Sequence, residues 1–295
     1  MHEKPIFVGT TRKTMKFNRR DFIRITGSGA MVAGMPALAS GVGPVTPPAL
    51  KDDSFRLAIA GYTFAQLTLD QALVIMKRVG MGLFAVKDMH LPLNSTQEAI
   101  NGFLAKAESY NVKLYGVGVI YMKTEAEADR AFAYARMVGV PLIVGAPDVS
   151  LLPYVEKKVK EYDLRLGIHN HGPDQKLYPG PDDVWDAIKN LDKRIGYCLD
   201  IGHTTRLGLD PVAAVKKYHE RIFDFHVWDT DQPVKAGVCV ESGRGIIDFP
   251  KFFTALREVK YKGTVSLEYT KDMADPLPGI AESIGYFRGV LAGLG

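Results

Sequence analysis

Short apolar runs of four to eight residues alternate with longer segments whose apolar positions recur at helical spacing, and this alternation repeats eight times after about residue 52. The strand-like runs are Phe55–Ala60, Leu83–Val86, Lys113–Val119, Leu142–Gly145, Leu164–Asn170, Ile195–Asp200, Ile222–Val227 and Thr264–Glu268. Between them the pattern predicts helices over Thr68–Arg78, Glu125–Met137, Leu151–Tyr162, Asp182–Asn190, Pro250–Val259 and Gly279–Leu291. Ser95 reads as the N-cap of the helix after strand two, with Glu98 closing a capping box. Asp210-Pro211 opens the helix after strand six, with Pro at the first helical position. Trp228–Ile247 reads as a long loop. The strands are apolar nearly throughout rather than alternating, so both of their faces are expected to be covered. Eight βα units in order predict a single (β/α)8 TIM barrel, of class α/β. An open doubly wound sheet is the second choice. It lacks a Gly-x-Gly-x-x-Gly after strand one, and the chain has neither a phosphate loop nor a Gly-x-Ser-x-Gly elbow.

Residues 1–50 break the pattern. A basic stretch leads to Asn18-Arg19-Arg20-Asp21-Phe22, then a mildly apolar, glycine-containing run, then Ala37-Leu38-Ala39. A charged region, a short apolar region and a small-x-small site in that order predict an export signal. The paired arginines with Phe22 resemble a twin-arginine signal, which implies the twin-arginine export machinery as a partner and a bacterial periplasmic location. Residues 51–295 are then the catalytic barrel. The chain is 46% hydrophobic, enough for a large core. Its formal charge of +4 is concentrated in the leader, in Lys4, Arg12, Lys13, Lys16, Arg19, Arg20 and Arg24, so the barrel is close to neutral. A near-neutral barrel argues against a nucleic-acid partner. Cys198 and Cys239 are expected to be free thiols, because Cys198 falls inside a buried strand.

Chemistry is concentrated at strand ends. Five of the seven histidines lie at or just past them (His90, His169, His171, His203 and His226), together with Lys87, Asp200, Asp229 and Glu268. Any one of these is more readily a hydrogen-bonded structural residue than a ligand. Parallel neighbours, however, bring all C-terminal strand ends to one edge, where TIM barrels hold their sites. His169 or His171, Asp200 with His203, His226 and Glu268 are therefore expected to converge, and imidazoles mixed with carboxylates suit one divalent metal ion. Residues two apart on a strand share a face, so His169 and His171 both point to that site. Trp228, Tyr62, Phe64 and Tyr121 at strand ends offer either a stacking face for a sugar or ordinary packing.

Particular motifs carry a resemblance. Leu199-Asp200-Ile201-Gly202-His203, Phe225-His226-Val227-Trp228-Asp229, Ser242-Gly243-Arg244-Gly245 before Ile247-Asp248-Phe249, and Leu267-Glu268-Tyr269 resemble segments of the xylose-isomerase-like TIM-barrel superfamily. That superfamily contains sugar phosphate isomerases/epimerases and, more remotely, endonuclease IV. The resemblance spans the whole barrel. It implies Asp200, His226, Glu268 and a strand-five residue as metal ligands. His169 stands where the better-known epimerases have glutamate, which makes it the fourth ligand and leaves His171 as a free acid/base. Mn, Zn, Co and Fe all fit such a set.

The activity implied is a metal-dependent isomerase/epimerase that removes the proton beside the carbonyl of a keto-sugar and holds the resulting enediolate on the metal. His171, Glu268 and Lys87 are the implied catalytic residues; His90, His203, Trp228 and Arg244 the implied substrate contacts. Loss of a β-substituent from the same site gives a 3-keto-glycoside lyase as the alternative. An endonuclease IV-like phosphodiesterase and an inactive sugar-binding barrel come next, disfavoured by the barrel's charge and by its intact ligand set. The substrate expected is a non-phosphorylated small carbohydrate, and homo-oligomerisation is left open.

Overall fold

A computed structural model describes residues 55–295, so the expected export signal lies outside the described residues. The strands are β1 (Arg56–Ala60), β2 (Leu83–Val86), β3 (Lys113–Met122), β4 (Leu142–Pro147), β5 (Arg165–His169), β6 (Ile195–Asp200), β7 (Ile222–Val227) and β10 (Thr264–Leu267). They close in the order β1-β10-β7-β6-β5-β4-β3-β2, every neighbour parallel. This is the (β/α)8 barrel that the eightfold alternation predicts. No helix among the described residues is long and apolar enough to cross a membrane.

The helices are α1 (Leu69–Arg78), α2 (Gln97–Ser109), α3 (Glu125–Val138), α4 (Leu152–Tyr162), α5 (Pro181–Ile188), α6 (Ile201–Arg206), α7 (Pro211–Tyr218), α8 (Phe249–Glu258) and α9 (Leu277–Gly293). Their starts are written in the sequence. Thr68 and Thr124 each accept a hydrogen bond from the third helical amide, and Gln71 and Glu127 bond back to the cap amides, two complete capping boxes. The cap after β2 corrects the expectation. Thr96, not Ser95, takes the amide of Ala99 at 3.2 Å, because the chain turns helical one residue later. Asp210 caps α7 through the amide of Val212 at 2.8 Å.

Two features differ from the sequence pattern. The long loop after β7 contains a hairpin of β8 (Asp229–Thr230) with β9 (Cys239–Val240). The short helix α6 follows β6 without a break and carries Gly202 and His203. Apolar side chains fill the layer between barrel and helices, with Phe225, Phe249, Phe252, Phe253 and Phe287 fully buried. Phe55 stacks on Phe253 with ring centroids 5.6 Å apart, tying the first residues of the barrel to α8. Each such ring contributes roughly 1.5–3 kcal/mol by leaving water. Inside the barrel the filling is partly polar: Asp224, Ser266, Thr264 and Tyr115 are buried there around Cys198. Both cysteines are free thiols, as expected.

Candidate functional site

Asp200 and His226 are lateral partners in the β6–β7 register, His169 ends β5, and Glu268 follows β10 by one residue. The geometry brings these four together: one donor atom from each lies within 4.8 Å of all the others. His169 Nε2 is 3.0 Å from His226 Nδ1, 3.5 Å from an Asp200 oxygen and 3.7 Å from a Glu268 oxygen. Glu268 Oε2 is 2.9 Å from His226 Nδ1. All four residues are buried, Asp200 completely.

Two carboxylates in a dry interior need positive charge between them. Burial opposes protonation of His169, but hydrogen bonds and charge from Asp200 and Glu268 outweigh it and raise its pKa to about 9. Burial likewise opposes ionisation of Glu268 and Asp200, yet the imidazoles around them hold both carboxyls below their ordinary range. The cluster is thus built around a centre of positive charge, and its two nitrogen and two oxygen donors fit a divalent cation of the Zn, Mn, Fe or Co type. A second group, His169, Cys198 and His226, also has the required proximity, but it lacks the carboxylates.

The two acidic members of the cluster are held from behind. The Trp228 indole N–H lies 2.9 and 3.0 Å from the two Asp200 oxygens, and the His203 amide donates to Oδ1 at 2.6 Å. Asn170 clamps the Asp200 backbone: its oxygen takes the amide at 2.8 Å and its NH2 donates to the carbonyl at 3.1 Å. Thr63 bridges the backbone on either side of Glu268, donating to the Leu267 carbonyl and accepting from the Tyr269 amide, each at 3.1 Å. Asp229 accepts from the amides of Thr230, Gly243, Gly245 and Ile247 and so anchors the glycine loop.

Gly202 is where the backbone leaves room for Trp228. A Cβ there would lie 2.2 Å from the indole. Gly202→Ala gains about 1 kcal/mol of helix propensity, against an overpacking cost of ~1–3 kcal/mol. It is expected to displace the indole from Asp200 and weaken cation binding about tenfold or more, read by calorimetric titration. Unchanged affinity would show that the indole contact is dispensable.

His171 sits beside the cluster, its ring 4.6 Å from that of His169. Its Nε2 lies 2.7 Å from the Tyr121 hydroxyl, and the two rings stack at 5.4 Å. Burial first, then the charge on His169 and His203, lower its pKa to about 3, so it is uncharged at neutral pH. His203 packs edge-on against Trp228 at 5.2 Å and is pushed downward by burial.

The remaining implied residues make other contacts. Lys87 Nζ donates to the Val119 carbonyl at 2.9 Å. His90 bonds the Leu67 carbonyl at 3.0 Å and packs on Phe84. Arg244 is exposed and pairs with Glu282 of α9 at 2.8 Å. Phe64 is wholly buried in the core, so it offers no sugar face, whereas Tyr62 and Tyr121 are 43% and 44% exposed. Asn170, Thr63 and the Tyr121 hydroxyl are site residues that sequence reasoning did not assign. Asn170 had one available signal, its place between two inward-facing histidines.

A family model described as xylose isomerase-like TIM barrel matches residues 76–290. An inosose dehydratase of Clostridium tetani (strain Massachusetts / E88) is 28% identical over 139 residues, covering 41% of this chain and 46% of that protein. The chain thus spans about half the length of the curated relatives it matches. Among solved structures, an uncharacterised protein of Parabacteroides distasonis ATCC 8503 superposes with a TM-score of 0.63 at 27% identity, covering 80% of this chain and 98% of that one. The IOLI protein with a bound zinc atom superposes with a TM-score of 0.66 at 16% identity, covering 81% and 97%.

Proposed function

The chain belongs to the xylose isomerase-like TIM barrel family, and from that membership we propose that it is a divalent-cation-dependent lyase that eliminates water or an alcohol from a polyhydroxylated ketone. The observation that carries the reading is the buried His169–Asp200–His226–Glu268 cluster with uncharged His171 beside it. Several curated relatives are named inosose dehydratase, which favours elimination over the isomerase or epimerase outcome that the motifs suggest first. A cyclic polyol ketone of inosose type, or a 3-keto-glycoside, is the substrate class. The Arg19-Arg20 signal pattern and the near-neutral barrel support an exported enzyme acting on a non-phosphorylated carbohydrate.

His169, Asp200, His226 and Glu268 would hold the cation. When bound, it supplies Lewis acidity to the substrate carbonyl and so acidifies the proton on the neighbouring carbon. His171 takes that proton: as a neutral imidazole it has one unprotonated ring nitrogen, and it lies beside the cluster facing the half-exposed Tyr121 at the mouth. The electrons released form the carbon–carbon double bond as the β-oxygen departs. Burial keeps the Tyr121 phenol protonated, so its hydroxyl is the group placed to protonate that oxygen. The imidazolium of His171 then returns its proton to the tyrosinate along the same 2.7 Å contact, which resets the pair. Trp228 and the His203 amide keep Asp200 fixed throughout.

The test is incubation of the cation-loaded protein with inososes and 3-keto-glycosides in D2O, followed by NMR and by absorbance of the conjugated enone. Enone formation with release of water or alcohol is expected. Deuterium appearing beside the carbonyl with every hydroxyl retained would instead establish an isomerase or epimerase. If a cation binds and no substrate exchanges, proton abstraction is not the chemistry of this site.

A further inference from the structure

Below the four-residue cluster, one layer deeper in the barrel, lies a carboxylate that the proposed mechanism does not use. Asp224 and His226 are two apart on β7, so both point into the barrel. Asp224 is completely buried and is held by the Tyr115 hydroxyl at 2.8 Å, the Thr264 hydroxyl at 2.6 Å, the Ser266 hydroxyl at 3.0 Å and the Phe225 amide at 2.9 Å. TIM-barrel interiors are ordinarily filled by branched apolar side chains, so four donors around one acid at this depth need a reason.

His226 supplies one. Its Nδ1 faces the cluster, within 2.9 Å of Glu268 and 3.0 Å of His169. Its Nε2 points the other way, is buried and has no hydrogen-bond partner. The Asp224 Oδ2 carboxylate oxygen stands 4.0 Å from that nitrogen. This is too long for a hydrogen bond, so the carboxylate would act through its charge, which is poorly screened between two buried groups. An imidazole that ligates through one nitrogen must carry its proton on the other, and an acceptor behind it fixes that tautomer and strengthens the donor atom.

We infer that Asp224 is a positioning residue for the cation site: it holds His226 with Nε2–H toward the barrel floor and the Nδ1 lone pair toward the cluster. The inference rests on the cation-dependent reading above and adds to it a residue outside the ligand set. Thr264 and Ser266 then serve to keep that charge in place.

The experiment uses zinc as the probe. In the zinc-loaded wild type, 15N-correlated NMR of the imidazoles should show His226 bound through Nδ1 with a proton on Nε2. Coordination through Nε2 would overturn the inference without any variant. Asp224→Asn keeps the shape and removes the charge; zinc affinity should fall roughly 10- to 100-fold, and the Nε2–H resonance should move. Tyr115→Phe removes one donor and leaves the charge, so it should lower thermal stability while keeping zinc affinity near wild type. Equal loss of affinity in Tyr115→Phe and Asp224→Asn would reduce Asp224 to a structural role, and unchanged affinity and resonance in Asp224→Asn would refute the inference alone. A wild type that takes up no zinc would bring down the cation reading and this inference together.

Discussion

Asp200→Asn is expected to eliminate stoichiometric cation binding and to lower kcat/KM on the order of 10^3-fold. The magnitude follows from the Lewis acidity that would be lost: about 4 kcal/mol of transition-state stabilisation, at about 1.4 kcal/mol per factor of ten, is ~10^3. Asparagine is the informative replacement because its carbonyl can still accept the Trp228 indole and the His203 amide, the contacts that fix residue 200. What disappears is the negative charge facing His169 at 3.5 Å. The fold should survive, since Asn170 and Thr204 hold the backbone of residue 200 and not its carboxylate. Metal analysis after dialysis, calorimetric titration and thermal unfolding on the same preparation separate the effects. One equivalent of cation bound at wild-type affinity would show that Asp200 is not a ligand.

Much of this arrangement is legible in the sequence, and the legible part has a common cause. A barrel strand buried on both faces is a local signal, and β2, β6 and β7 have the bounds that their apolar runs indicate. Parallel order then forces strand ends to one edge, so a residue's position at the end of a run places it at the site. That is why His169, Asp200, His226 and Glu268 meet within 4.8 Å. The choice of His169 over His171 came from the family resemblance, because period-two alternation puts both on one face. The structure separates them: His169 is inside the cluster, while His171 turns to Tyr121.

What was not legible depends on contacts distant in sequence or on elements too short to show a period. Thr63 clasps the backbone around Glu268 from across the closure of the barrel, and Tyr115 meets Asp224 from a non-adjacent strand. Neither leaves a local trace. The six residues of α6 are fewer than two helical turns, so the helix that aims His203 and makes room for Trp228 has no periodic signal of its own. Arg244, which the resemblance implies as a substrate contact, pairs in the structure with Glu282, and the loop that carries it is anchored by Asp229 through backbone amides.

His171→Phe should separate chemistry from cation binding. Phenylalanine preserves the flat ring that stacks on Tyr121, and it removes a buried Nδ1 that has no hydrogen-bond partner, so folding stability should be unchanged or slightly higher. The four-residue cluster is left whole, and cation affinity should stay within about threefold of wild type, since His171 is not among its donors. Turnover should nevertheless fall by roughly 10^2- to 10^4-fold, the usual contribution of a positioned general base, with the loss in kcat rather than KM if the group acts only as bonds change. The Tyr121 hydroxyl would lose its partner at Nε2, so Tyr121→Phe placed on top of His171→Phe should cost little more, while Tyr121→Phe alone should slow the wild type. Non-additivity of that kind is the signature of two groups passing one proton. Full additivity would place them in separate steps.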